Sequence, residues 1–342
     1  MPFQPKSSRP HKNRSRRTQH LHFEKLESKQ MLAAVTVSNS LDVLNGDLSS
    51  VSALVANDGG DGISLREAIT AAQNTSFNNT ITFDPSVFNG QAADVIRLGS
   101  QLNSRRNLII NAGSLEVVIS GDVNGDDTLV PGTFVTDVSA SQAAGVHSDN
   151  VRVIEFTNRL QLTGVTVTGG SASSGGGLLT GTYPYFNAGD LFLNESTISG
   201  NFASSRGGGI NISAPYGGGL VSVTGSTISG NVSNGLGGGF NGYARDTSFI
   251  FRDSTISGNT SGSSGGGIFA ETRYLPITVS GSTISGNSAS VFGGGAFLFA
   301  RGGPVSVSNT TVSGNTALAR GCLLYTSPSP RDQRGSRMPS SA

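Results

Sequence analysis

STISGN is written at Ser196–Asn201, Ser226–Asn231, Ser254–Asn259 and Ser282–Asn287, with a close variant, TTVSGN, at Thr310–Asn315. The central apolar residues are Ile198, Ile228, Ile256, Ile284 and Val312. They recur at a nearly constant step of about 28 residues, and a fixed period of this length marks a repeat architecture. The step from Ile198 to Ile228 is longer than the others by two. A weaker forerunner, TVTGG, puts Val167 one further repeat length ahead of Ile198. Seven and five residues before each centre lie the pairs Leu160/Leu162, Leu191/Leu193, Val221/Val223, Phe249/Phe251, Ile277/Val279 and Val305/Val307. Such alternation reads as a half-buried strand. The odd offset of five means that the alternation cannot run unbroken into the centre, so a corner is expected three residues before it. That column reads Gly164, Glu195, Gly225, Asp253, Gly281 and Asn309. Gly, Asn and Asp tolerate the left-handed backbone of a tight corner, and Glu195 is the one poor fit.

Glycine triplets begin at Gly207, Gly237, Gly265 and Gly293, six residues after each asparagine, and are followed by Ile210, Phe240, Ile268 or Ala296. They predict a third short strand. The expected fold is all-β, built of three-strand coils with a period of about 28 residues, stacked roughly 4.8 Å apart. Asn201, Asn231, Asn259, Asn287 and Asn315 would form a ladder in which each amide bonds to the next. With 48 Gly and 12 Pro in 342 residues, the chain falls below the roughly 25–30% at which composition alone signals disorder. The pattern over Leu160–Gly321 resembles the right-handed parallel β-helix of pectate-lyase-like proteins, and its glycine triplets are similar to repeats of polymorphic outer-membrane proteins. The resemblance implies a right-handed solenoid and leaves activity open.

Four segments are expected. Residues 1–34 carry eight Lys/Arg against two Glu; residues 35–321 carry 12 Arg against 19 acids and no lysine. The basic character therefore lies at the start, and a mildly acidic body argues against nucleic acid as its partner. Within the first segment, Phe23–Ala34 resembles an LE-x-R-x-ML motif of bacterial surface proteins, with Lys29 where the motif has Arg, and implies export. Residues 35–159 read as a cap and irregular first coils. Val35–Gly62 suggests short edge strands and turns. ISLREAITAAQNT (Ile63–Thr75) then carries a capping box, Ser64 with Glu67, ahead of Leu65, Ala68, Ile69 and Ala72 on one helical face. SLREAI followed by NTITF resembles the CSLREA domain, with Ile63 in place of its cysteine. Its physical role is to cover the open core of the first coil. Residues 160–321 are the regular repeats. CLLYTSPSPRD (Cys322–Asp332) resembles a transposase-type sequencing adapter read in frame, so 322–342 is expected to be a non-native tail on a truncated protein. There is no apolar run long enough to cross a bilayer, hence no expected membrane-spanning helix, and a monomer is expected. A body without cysteine fits an extracellular or cell-surface setting.

The clearest polar column is Arg245, Arg273 and Arg301, each one repeat length from the next, with Tyr243 and Tyr274 close by in sequence. Stacked guanidinium groups either are neutralised by Asp246 and Glu271 or form a strip for an acidic polysaccharide, with Arg forks on carboxylates and aromatics on sugar faces. No catalytic set is legible. Glu195 and Asp253 share the corner column two coils apart, about 10 Å, at or beyond the range of an inverting glycosidase pair, and turn chemistry explains the column better. Asp122, Asn124 and Asp126 alternate as in the start of a Ca2+ loop, but Thr133 stands where the bidentate Glu belongs, so a turn is the expected reading and no cofactor is implied. His147, the body's sole histidine, has no triad around it. Two functions stay open: a non-enzymatic surface protein for adhesion or glycan binding, which the uniform coils favour, and a polysaccharide lyase or hydrolase.

Overall fold

The computed structural model describes residues 33–75, 79–90, 94–125, 149–181, 189–319, 321 and 324–326. The export-type segment up to Leu32, together with Asp126, Thr133, His147 and Cys322, lies outside them; the last two residues of that segment, Ala33 and Ala34, open the first strand. One repeat shows how the sequence is spent. Strand Ile210–Thr224 ends at Gly225 (φ 57°), Thr227–Ser229 runs to Gly230 (φ 60°), Val232–Ser233 leads to Gly237 (φ 64°), and strand Phe240–Arg252 begins the next coil. Each coil thus has three left-handed corners. The first is the column that parity predicted, and its non-glycine members also take positive φ: Glu195 49°, Asp253 51°, Asn309 48°.

Coils stack in parallel register. Val221 pairs with Leu191 and Phe249, and Phe249 with Ile277; Ile228 pairs with Ile198 and Ile256. The result is a right-handed parallel β-helix of about 7 turns with three sheets of 15, 8 and 6 strands. The assignment of strands to sheets adds detail that periodicity did not show. The segments before the first corner and after the glycine triplet belong to one large sheet and fuse in Ile210–Thr224 and Phe240–Arg252. The smallest sheet is made by short strands after SGN, such as Thr260–Ser261 and Ser288–Ala289.

One apolar core runs through the coils. Ile198, Ile228, Ile256 and Ile284 are fully buried, as are the paired columns from Leu160/Leu162 to Ile277/Val279. Val305, Val307 and Val312 are only partly buried, because among the described residues no further coil covers them on that side. Phe240 meets Phe249 and Phe251 edge-on, with ring centroids 5.6 and 5.1 Å apart. This is the arrangement that aromatic quadrupoles favour. Gly242 makes that cluster possible: a Cβ there would lie 2.6 Å from the Phe249 ring and 2.7 Å from that of Phe240.

The asparagine ladder forms as expected. Nδ2 of Asn201, Asn231, Asn259 and Asn287 donates to Oδ1 of the next asparagine at 2.9–3.0 Å. Each Oδ1 from Asn231 to Asn315 also accepts the backbone N–H of the preceding asparagine. Nδ2 additionally reaches back to the carbonyl of Val167, Ile198, Ile228, Ile256 or Ile284. A second ladder accompanies it. The backbone N–H of Ser196, Ser226 and Ser254 donates to Oγ of Ser226, Ser254 and Ser282. The strict Ser column was the signal for it, but a hydroxyl beside a turn has many local partners.

At the N-terminal end, strand Ala33–Val37 pairs with Asn79–Phe83, which pairs with Leu108–Asn111. Helix α1 (Val51–Ala56) replaces part of the region expected as edge strands and turns; Ser50 caps it by accepting from the Ala53 amide. Helix α2 (Leu65–Asn74) has the predicted capping box: the Glu67 amide donates to Ser64 Oγ and the Ser64 amide to Glu67 Oε2. Glu67, fully buried, also accepts the amides of Asn45 and Gly46. Leu54, Leu65 and Ile69 join the core, so the two helices close its end. Beyond Gly321, the expected boundary of the repeats, Leu324–Thr326 pairs with Ala296–Leu298 and so keeps the repeat's register.

Asn259→Ala should remove the acceptor of two Asn231 donors and the donor to the Ile228 carbonyl. With about 1–3 kcal/mol per orphaned buried group, a loss of about 3 kcal/mol is expected in urea unfolding, and Asn259→Asp should not restore it.

Candidate functional site

The large sheet carries the arginine column. Tyr243 pairs with Glu271 and Glu271 with Phe299; one residue further, Ala244 pairs with Thr272 and Thr272 with Ala300. Arg245, Arg273 and Arg301 come next in each coil, just past the last paired residues; the Arg301 amide continues the pattern by donating to the Thr272 carbonyl, whereas the Arg273 amide donates to the Arg245 carbonyl. Ala244, Thr272 and Ala300 point into the core, so alternation turns the residues on either side outward. Two outward rows result, Tyr243–Glu271–Phe299 and Arg245–Arg273–Arg301.

Tyr243, Glu271 and the three arginines of these rows line a depression of about 120 Å³, together with Pro215. Pro215 stands where the register shifts between Ala214 and Gly218. Ala214 pairs with Ala244 and Gly218 with Asp246, so this bulge accommodates the two extra residues between Ile198 and Ile228. The one irregular step in the STISGN series therefore falls beside Arg245.

Tyr274 lies just beyond Arg273, and its amide donates to the Arg245 carbonyl. The Arg245 and Arg273 guanidinium carbons lie 5.3 and 5.4 Å from its ring centroid, and that of Arg301 lies 5.6 Å from Phe299. These are cation–π distances. Tyr243 is 40% and Tyr274 46% exposed, leaving ring surface for a ligand.

Neutralisation of the column is uneven. Glu271 Oε1 accepts from Arg301 at 3.1 Å, whereas Asp246 lies 3.8 Å from Arg245, with both side chains nearly half exposed. An exposed pair at that separation contributes little. Among the described residues no carboxylate lies within ion-pair distance of Arg273. Sequence spacing found the column and its neighbours. It could not show which arginine each acid would serve.

The remaining candidates fall elsewhere. Glu195 and Asp253 are exposed on the corner column at positive φ. Gly225 stands between them in the stack, and the space over Gly281 is taken by the Asp253 carboxylate. Asp122 is buried, and its Oδ1 accepts the Gly125 amide, as a turn requires; Asp126 lies outside the described residues. No cluster of three metal-ligating side chains occurs among the described residues. No helix there is long and apolar enough to cross a membrane. Sequence reading passed over Arg152, which is largely buried. It donates to Glu155 at 2.9 Å, to Gln101 and to the carbonyls of Ser174 and Gly175. Burial lowers its pKa, with Glu155 opposing; it ties the first coils together.

Comparison with models of known protein families, with curated proteins and with solved structures gives no match.

Glu195→Gly should relieve a left-handed residue, worth roughly 1–2 kcal/mol, less the added unfolded-state entropy of glycine of roughly 0.5–1 kcal/mol. A small rise in stability is expected in thermal unfolding; a marked fall would assign Glu195 more than turn duty.

Proposed function

We propose that this protein is a non-enzymatic extracellular or cell-surface β-helix protein that binds an acidic polysaccharide across Arg245, Arg273 and Arg301. The reading is carried by one observation: three arginines on consecutive coils line one depression, and only Arg301 is closely held by a carboxylate. A polyanion laid along the solenoid axis meets a guanidinium about every 4.8 Å, and Tyr243 and Tyr274 offer faces for sugar rings. The guanidinium fork takes two carboxylate oxygens at once, which suits a uronate. The use made of the acids favours binding over turnover: Glu195 and Asp253 sit at corners, and Glu271 holds an arginine. A body free of cysteine from 35 to 321 suits an oxidising exterior.

Replacing Arg245, Arg273 and Arg301 together by Gln should weaken binding to polygalacturonate at low salt by at least about tenfold, ~1.4 kcal/mol. The unfolding midpoint should stay in place, since all three side chains are exposed. Wild-type binding should fade as salt is raised. Unchanged affinity in a glycan-binding titration of the triple variant would remove the proposal.

A further inference from the structure

Three arginines share this depression with one acid, and that acid sorts them into two kinds. Resting on the binding reading above, we infer that Arg245 and Arg273 hold the anion, whereas Arg301 is a positioning residue that acts by cancelling the charge of Glu271. Among the described residues, Glu271 is the one acid that lines the depression. It stands in the outward row between Tyr243 and Phe299, whose rings carry no charge to offset it. Its side chain is 18% exposed, so water screens it only in part. Arg273, two residues on in the same coil, does not come within ion-pair distance of it; its guanidinium lies 5.4 Å from the Tyr274 ring centroid. The partner comes from the next coil. Phe299 pairs with Glu271, and Arg301, two residues past Phe299, reaches back so that Nη2 donates to Glu271 Oε1 at 3.1 Å.

The other two guanidinium groups gather about a different ring. Arg245 and Arg273 lie 5.3 and 5.4 Å from Tyr274, while Arg301 packs at 5.6 Å on Phe299 of its own coil. The acid nearest Arg245 is Asp246, at 3.8 Å and nearly half exposed, a pair that holds little. Two forks are therefore open to a carboxylate, and the third is spent on Glu271. With Arg301 in place the pair is neutral, and an incoming anion meets the charge of Arg245 and Arg273 alone. Without Arg301 the same anion meets a bare carboxylate in a partly desolvated floor, where like charges repel more strongly than in water. Arg301 thus supports binding through Glu271 and not by gripping the ligand.

The test is a double-mutant cycle on the full chain, read as affinity for polygalacturonate at one low ionic strength, with the unfolding midpoint followed for each variant. Arg273→Gln removes a grip and should weaken binding about tenfold. Arg301→Gln should weaken it about tenfold as well, by baring Glu271. Glu271→Gln alone frees Arg301 and should tighten binding, a gain that damage to the fold does not produce. Glu271→Gln combined with Arg301→Gln removes a neutral pair and should bring affinity back to within about twofold of wild type. A double variant as weak as Arg301→Gln would show that Arg301 touches the ligand itself and would overturn the inference. So would an Arg301→Gln variant that binds like wild type, or a Glu271→Gln variant that binds more weakly. Each of these leaves the binding of an acidic chain standing; failure of the wild type to bind polygalacturonate would overturn that reading and this inference together.

Discussion

Stacking one coil on the next without leaving a buried polar group unpaired is the constraint on which this structure depends. The interior asparagines meet it most completely. Each buried amide accepts from one neighbour and donates to the next, and also bonds to backbone. An orphan in such a chain exposes groups on both sides of it, so the ladder holds register as well as adding stability. A shift of one residue in any coil would carry its apolar column from core to solvent and move its asparagine off the ladder.

Corners are the second requirement. A coil closes because three residues per repeat take left-handed backbone, two of them nearly always glycine. The first corner is freer in identity, and Asp, Asn and Glu all stand there. Their side chains project from the outer surface, where they could be mistaken for chemistry. Acids in that column are better understood as residues that survive a strained conformation.

Uniformity explains why function has so few places to reside. In a solenoid whose coils are nearly interchangeable, a site must come from a departure, and the departure here is the two-residue bulge in Ile210–Thr224. It lies beside the row in which outward positions change to Tyr, Glu, Phe and Arg. The depression it flanks combines guanidinium groups with exposed rings beside it and one acid held to Arg301, the groups on which the proposed binding draws.

By itself the sequence determined the repeat, the parity break, the asparagine ladder and the capping box of α2, because each depends on spacing along the chain and on local backbone preference. It also placed Arg245, Arg273 and Arg301 in one column, since a constant period maps onto a constant register. Only the tertiary structure decided that two strand segments fuse into one large sheet and that Ser50–Ala56 turns into a capped helix. Only it paired Glu271 with Arg301 in preference to Arg273, and set Arg245 and Arg273 against the Tyr274 ring. Those outcomes depend on distances across coils and on which side chain reaches past its neighbour. A constant period specifies neighbours but not the reach of flexible side chains between them.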